Sequence, residues 1–114
     1  MIWTMKDRRS ELMFNRVLDL LDRDEVRIED PRVLRRLEVL RRGVHGSGMH
    51  RYLDQWERWI VLRDVESIRL LHGSEDEYSV QMLTLSPLNA LLSDEERLEI
   101  LHELHGVSNT LQPA

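Results

Sequence analysis

The chain has 114 residues, a length that suits one domain around one core and leaves little room for a second. Hydrophobic residues make up 41% and charged residues 32%, too apolar for a disordered chain and too charged for a membrane protein. Only 5% of residues are aromatic, five are Gly and three are Pro in a background rich in Leu, Arg and Glu, which excludes a turn-rich β-sandwich or barrel.

The absence of cysteine excludes disulfides, thiolate metal sites and cysteine nucleophiles. The segment Met1 to Arg9 lacks the basic start, apolar run and small-residue cleavage site of a secretory signal, and no apolar run approaches the roughly 20 residues of a membrane span. A cytoplasmic protein is expected. The net charge of −5 hides an asymmetry: residues 1–44 carry 11 basic and 9 acidic side chains, whereas residues 64–114 carry 2 and 10. Such a split suits a partner with its own charged surface, or association of acidic with basic halves of two copies; solvated helix faces are the plain alternative.

Phe14, Val17, Leu18 and Leu21 repeat at helical spacing and predict a helix over 6–23. Asp30-Pro31 supplies an N-cap and a first-turn proline for a second helix, whose apolar face is Val33, Leu37, Leu40 and Val44 and whose left-handed terminator would be Gly43. The glycines of 43–48 predict a corner. A third helix follows with Met49, Tyr52, Leu53, Trp56, Trp59 and Ile60 in one arc, read as the core stripe against which helices one, two and six pack.

Asp64 caps a short helix with Val65, Ile68 and Leu71, stopped by Gly73. Ser74-Glu75-Asp76-Glu77 and Ser93-Asp94-Glu95-Glu96 both have capping-box form. The first would start a helix burying Tyr78, Met82 and Leu85 and ending before Ser86-Pro87; the second, one burying Leu98, Leu101 and Leu104 and ending at Gly106. Between them residues 87–92 read as one buried turn. Residues 1–5 and 107–114 are expected as loosely ordered tails. The expected architecture is all-α: a compact bundle of five to six helices without a sheet, as one domain over 1–114.

No catalytic constellation emerges. Glu99, His102, Glu103 and His105 form the one His–carboxylate cluster, but the two imidazoles lie three apart, not the four that stack on a zinc-binding helix face. Gly43, Gly46 and Gly48 follow no strand, so they fit a corner better than a phosphate loop. His45 and His50 flank that corner without a nucleophile placed beside them, so an enzyme using either ranks last. Neither metal nor cofactor is expected.

Three surfaces remain as partner-binding candidates. The acidic half, represented by Glu66, Asp76 and Glu99, holds the largest charge imbalance and is favoured. Arg32, Arg35, Arg36 and Arg42 form a basic face on the second helix, with Arg35 and Arg42 opposite its apolar stripe; it could grip nucleic acid or an acidic protein. Trp3 and Met5 are apolar residues near the N-terminus, hard to bury in a small domain and suited to another chain.

Tyr52-Leu53-Asp54-Gln55-Trp56 resembles the aromatic R-Y-L-x-x-W segment, and Ser86-Pro87-Leu88-Asn89-Ala90-Leu91-Leu92-Ser93-Asp94-Glu95-Glu96-Arg97 resembles the S-P-F-x-G-x-L-S-x-x-E-R-W segment, of small helical bacterial proteins encoded beside nucleotidyltransferase-type toxins. Leu88, Ala90 and Leu98 stand where that family has Phe, Gly and Trp. The resemblance covers residues 49–104 and rests on caps and core positions. It implies a shared helical fold and an antitoxin that neutralises a partner toxin; it carries over no catalytic residue. A small transcriptional or nucleic-acid-binding regulator using the second helix is the alternative.

Overall fold

A computed structural model describes the backbone of residues 5–110 and the side chains of 7–105 except Ser47. Among the described residues six α-helices run in chain order: α1 (Met5–Asp22), α2 (Pro31–Gly43), α3 (Ser47–Leu62), α4 (Val65–Arg69), α5 (Glu77–Thr84) and α6 (Asp94–Thr110). A 3₁₀ turn (Pro87–Leu91) joins the last two, and no strand occurs among the described residues. The all-α expectation is met. The expected site residue Trp3 lies outside the described residues, and Met5 is described only as the first residue of α1.

Side-chain caps set most of the helix starts. Asp30 accepts from the backbone N–H of Arg32, with Pro31 in the first turn of α2, and Asp64 accepts from the N–H of Ser67 to open α4. The Ser93 box is complete in both directions: the Glu96 N–H donates to Ser93 Oγ at 3.1 Å, and the Ser93 N–H donates to Glu96 Oε1 at 3.0 Å. The Ser74 box does not form. Asp76 caps α5 instead, accepting from the Ser79 N–H at 2.8 Å, while the Ser74 hydroxyl donates to Asp76 at 3.2 Å. A carboxylate two residues nearer the helix displaced the hydroxyl, since both types satisfy the same orphan donors.

Neither expected glycine terminator ends its helix. Gly73 has a positive φ of +76, but α4 already ends at Arg69 on a right-handed Leu70, three residues earlier. Gly43 remains within α2, which ends on extended Val44, and the left-handed residue of the corner is Gly46 at φ +96. The corner is therefore shorter than expected, because α3 begins at Ser47 rather than after the last glycine. At its far end α3 closes on Arg63 at φ 54, a left-handed position filled without glycine.

One contiguous core links the elements. It contains Phe14, Val17 and Leu18 of α1, Val33 and Leu37 of α2, Leu53, Trp56 and Ile60 of α3, Ile68, Met82, and Leu88, Leu91 and Leu92 around the 3₁₀ turn. Trp56 is fully buried and its Nε1–H donates to the Met82 carbonyl at 2.9 Å. Met82 sits in the last turn of α5, so the indole satisfies one of the carbonyls that a helix end leaves without an internal partner. Trp59 stands edge-on to Trp56, with ring centroids 5.3 Å apart.

Packing departs from expectation in three places. The α3 stripe packs chiefly on α2, α4 and α5 rather than on α1 and α6. Tyr78 is 43% exposed and rests against Tyr52 at 5.8 Å instead of entering the core, and Val80, Met82 and Leu83 form the buried apolar set of α5. Leu98 is 57% exposed, and Ile100 with Leu104 forms the buried seam of α6. That helix also continues through Gly106 to Thr110, which removes part of the expected tail; an internal glycine costs about 1 kcal/mol and does not by itself end a helix. No helix of the described residues is long and apolar enough to cross a membrane.

Candidate functional site

The 3₁₀ turn helps to form one concave site among the described residues. Ser86 accepts from the Leu88 N–H, Pro87 and Leu88 are buried, and the turn packs on both α1 and α2. This folds the start of α6 back toward the N-terminal half of α1. A pocket of about 330 Å³ opens where these elements meet. Its cationic lining comes from three helices: Arg9 of α1, Arg36 of α2 and Arg97 of α6. Ser10, Thr84 and Asn89 add polar atoms and Met13 an apolar floor.

The electrostatics of the pocket are one-sided. No carboxylate lines it among the described residues. Arg97 is oriented by donating to the Asn89 carbonyl at 2.9 Å, which uses one of five guanidinium N–H groups. Arg9 and Arg36 are exposed and form no ion pair among the described residues. The Thr84 hydroxyl donates to the Val80 carbonyl at 2.9 Å, and Asn89 Oδ1 is buried without a partner. Such a lining offers cationic donors to an oxyanion and no imidazole or carboxylate as general base.

Some carboxylates of the acidic half make contacts within the chain. Glu99 accepts from Arg16 Nη1 of α1 at 2.9 Å, and this bond with the surrounding Glu96 and Glu103 holds the Arg16 guanidinium above its ordinary pKa. Glu95 and Glu96 line the same groove, of about 440 Å³, as Arg16 and Arg23. On another side, Asp22 of α1 pairs with Arg69 at the end of α4, next to a hydrogen bond of 2.8 Å between His72 Nδ1 and Asn15 Oδ1. The Arg16–Glu99 pair sets N-terminal arginine against C-terminal carboxylate, whereas the Asp22–Arg69 pair runs the other way.

The remaining expected site residues scatter. Asp76 is the α5 cap, and hydrogen bonds from Ser79 hold its carboxyl below the usual range, so its first role is structural. Glu66 is exposed in the first turn of α4. Arg35 is exposed on α2 without an ion pair among the described residues, while Arg42 pairs with Glu38 at 2.7 Å at the surface. Arg32 folds back on Asp30 at 3.0 Å, and Arg41 reaches Asp54 of α3 at 2.8 Å. Of the basic face, Arg36 alone enters the pocket. Arg9 and Arg97 were not singled out; they lie far apart in sequence, and only the fold of the 3₁₀ turn brings them together. No group of three or more His, Cys, Asp or Glu residues that could hold a metal occurs among the described residues.

No protein-family model matches the chain, and neither curated proteins nor solved structures give a significant match.

Proposed function

We propose that this chain is a non-enzymatic binding module that holds an anionic group of a partner protein at the pocket formed by Arg9, Arg36 and Arg97. The observation that carries the reading is the convergence of three guanidinium side chains from three helices on one pocket without a carboxylate among its described lining. Like charges gathered in this way repel one another, and an anion binding there relieves the repulsion while gaining charge-assisted hydrogen bonds. The resemblance of residues 49–104 to antitoxin-like proteins supports a toxin encoded beside this chain as the partner, met in a bacterial cytoplasm.

The test is affinity purification of the tagged full chain from its native host, with the partner identified and the measurement repeated on Arg9→Glu/Arg36→Glu. Both side chains are exposed, so the fold should survive, which circular dichroism checks. The partner should co-purify with the wild type and be lost from the double variant. A partner retained by the double variant overturns the assignment of the site.

A second reading has one observation in its favour: Arg35 and Arg36 stand side by side on α2 without ion pairs among the described residues, as phosphate-gripping residues would. Nucleic-acid binding through this face would show in a gel shift as affinity falling steeply with salt. A partner complex formed with nuclease-treated protein and insensitive to added DNA favours the protein reading.

A further inference from the structure

Eight arginines outside the pocket pair with carboxylates, among them Arg16 with Glu99 and Arg41 with both Asp54 and Glu57. Arg35, Arg51, Arg58 and Arg63 are exposed and form no ion pair among the described residues, but none of them lines the pocket. Arg9, Arg36 and Arg97 differ in that three cations from three helices line one pocket without a carboxylate among its described lining. A single carboxylate would satisfy one guanidinium through a two-bond fork and would leave the other two charges facing each other. A phosphate monoester carries about −1.5 to −2 charge at neutral pH and has three terminal acceptor oxygens.

We propose that the Arg9, Arg36 and Arg97 pocket is a phosphate-monoester site, each guanidinium serving one terminal oxygen. The inference rests on the reading of this pocket as the partner site and names the group that enters it. The count of charges and oxygens favours a terminal phosphate over the diester of a nucleic-acid backbone, because a diester has one charge and two free oxygens for three cationic donors. The pocket volume of about 330 Å³ leaves room for the group that bears the phosphate. The ester could sit on a partner's side chain or the phosphate could be free; both present the same oxygens, and the assay below separates them.

The experiment is isothermal titration calorimetry on the full chain with three probes: inorganic phosphate, a short phosphoserine peptide, and a peptide of the same length with glutamate in place of phosphoserine. Variants Arg9→Ala and Arg36→Ala remove one pocket cation each, and Arg58→Ala removes an exposed arginine of α3 outside the pocket. Phosphate probes should bind, weaken about tenfold or more in either pocket variant, as expected for a lost charge-assisted contact, and be unchanged in Arg58→Ala. The glutamate peptide should bind at least about tenfold more weakly than its phosphorylated counterpart. Tighter binding of the phosphopeptide than of inorganic phosphate places the ester on a partner chain, and the reverse order assigns the site to free phosphate. Equal binding of the glutamate and phosphoserine peptides overturns the phosphate assignment while leaving the partner site in place. Absence of binding heat at millimolar phosphate, or equal affinity in wild type, Arg9→Ala and Arg36→Ala, overturns it too; the partner reading is then decided separately by the co-purification.

Discussion

Trp56 gives the sharpest test of how the fold is held. Its side chain is fully buried, and its indole N–H is the partner of the Met82 carbonyl at the end of α5. Replacement by alanine removes a large buried aromatic and should cost about 3–5 kcal/mol. Phenylalanine keeps most of the ring area but cannot donate. The carbonyl then stays buried without a partner, at about 1–3 kcal/mol, and the smaller ring leaves a cavity worth about 1 kcal/mol more. Trp56→Phe should therefore cost about 2–4 kcal/mol, most of the alanine penalty, and lower Tm by roughly 4 °C for each kcal/mol in a domain of this size. Urea unfolding followed by far-UV circular dichroism is the assay, since fluorescence would mix the changes at the three tryptophans. A Trp56→Phe cost below about 0.5 kcal/mol, beside a large alanine cost, would refute the hydrogen-bond argument and leave packing alone.

Three further outcomes follow from single residues. Leu98→Lys should change stability by no more than about 0.5 kcal/mol, whereas Ile100→Ala should cost about 2–5 kcal/mol, because Leu98 is 57% exposed and Ile100 is 1% exposed; denaturant midpoints of the two variants check this. Arg63→Gly should stabilise by about 0.5–1 kcal/mol in thermal melts, since glycine relieves a left-handed backbone at φ 54 and gives back only part of that gain as unfolded-state entropy. The caps Asp30, Asp64 and Asp76 are held below the usual aspartate range, by hydrogen bonds from Arg32, Ser67 and Ser79 respectively. Folded values below the unfolded value of about 3.9 mean that their stabilisation is complete above that pH and is lost as the pH falls through the folded values. Tm should therefore drop on acidification below about pH 4, and Asp64→Asn, which keeps an acceptor but cannot titrate, should flatten that drop.

The helices were legible because their signals are local. Asp30-Pro31, Asp64 and the Ser93 box each act within one turn of the residue that reads them, so no tertiary knowledge is needed. Ser74 failed for an equally local reason: Asp76 competes for the same donors, and sequence spacing alone does not rank two neighbouring caps. Tyr78 and Leu98 failed because α5 and α6 each hold apolar residues on more than one face, and the choice of buried face depends on the partner helix. The pocket was only partly legible. Arg36 belongs to a basic face visible by periodicity, while Arg9 and Arg97 join it through the path of the 3₁₀ turn. The pairing of Glu99 with Arg16 shows the converse: a charge imbalance counted along the chain is partly cancelled across it.

If Arg9, Arg36 and Arg97 act as one anion site, an NMR titration of the full chain with inorganic phosphate, observed at the arginine Nε–Hε resonances, reports it directly. These three resonances should move together with one midpoint, while Arg41, held between Asp54 and Glu57, should not follow them. Small parallel shifts of every exposed arginine, or no shift at the three pocket residues, would contradict it.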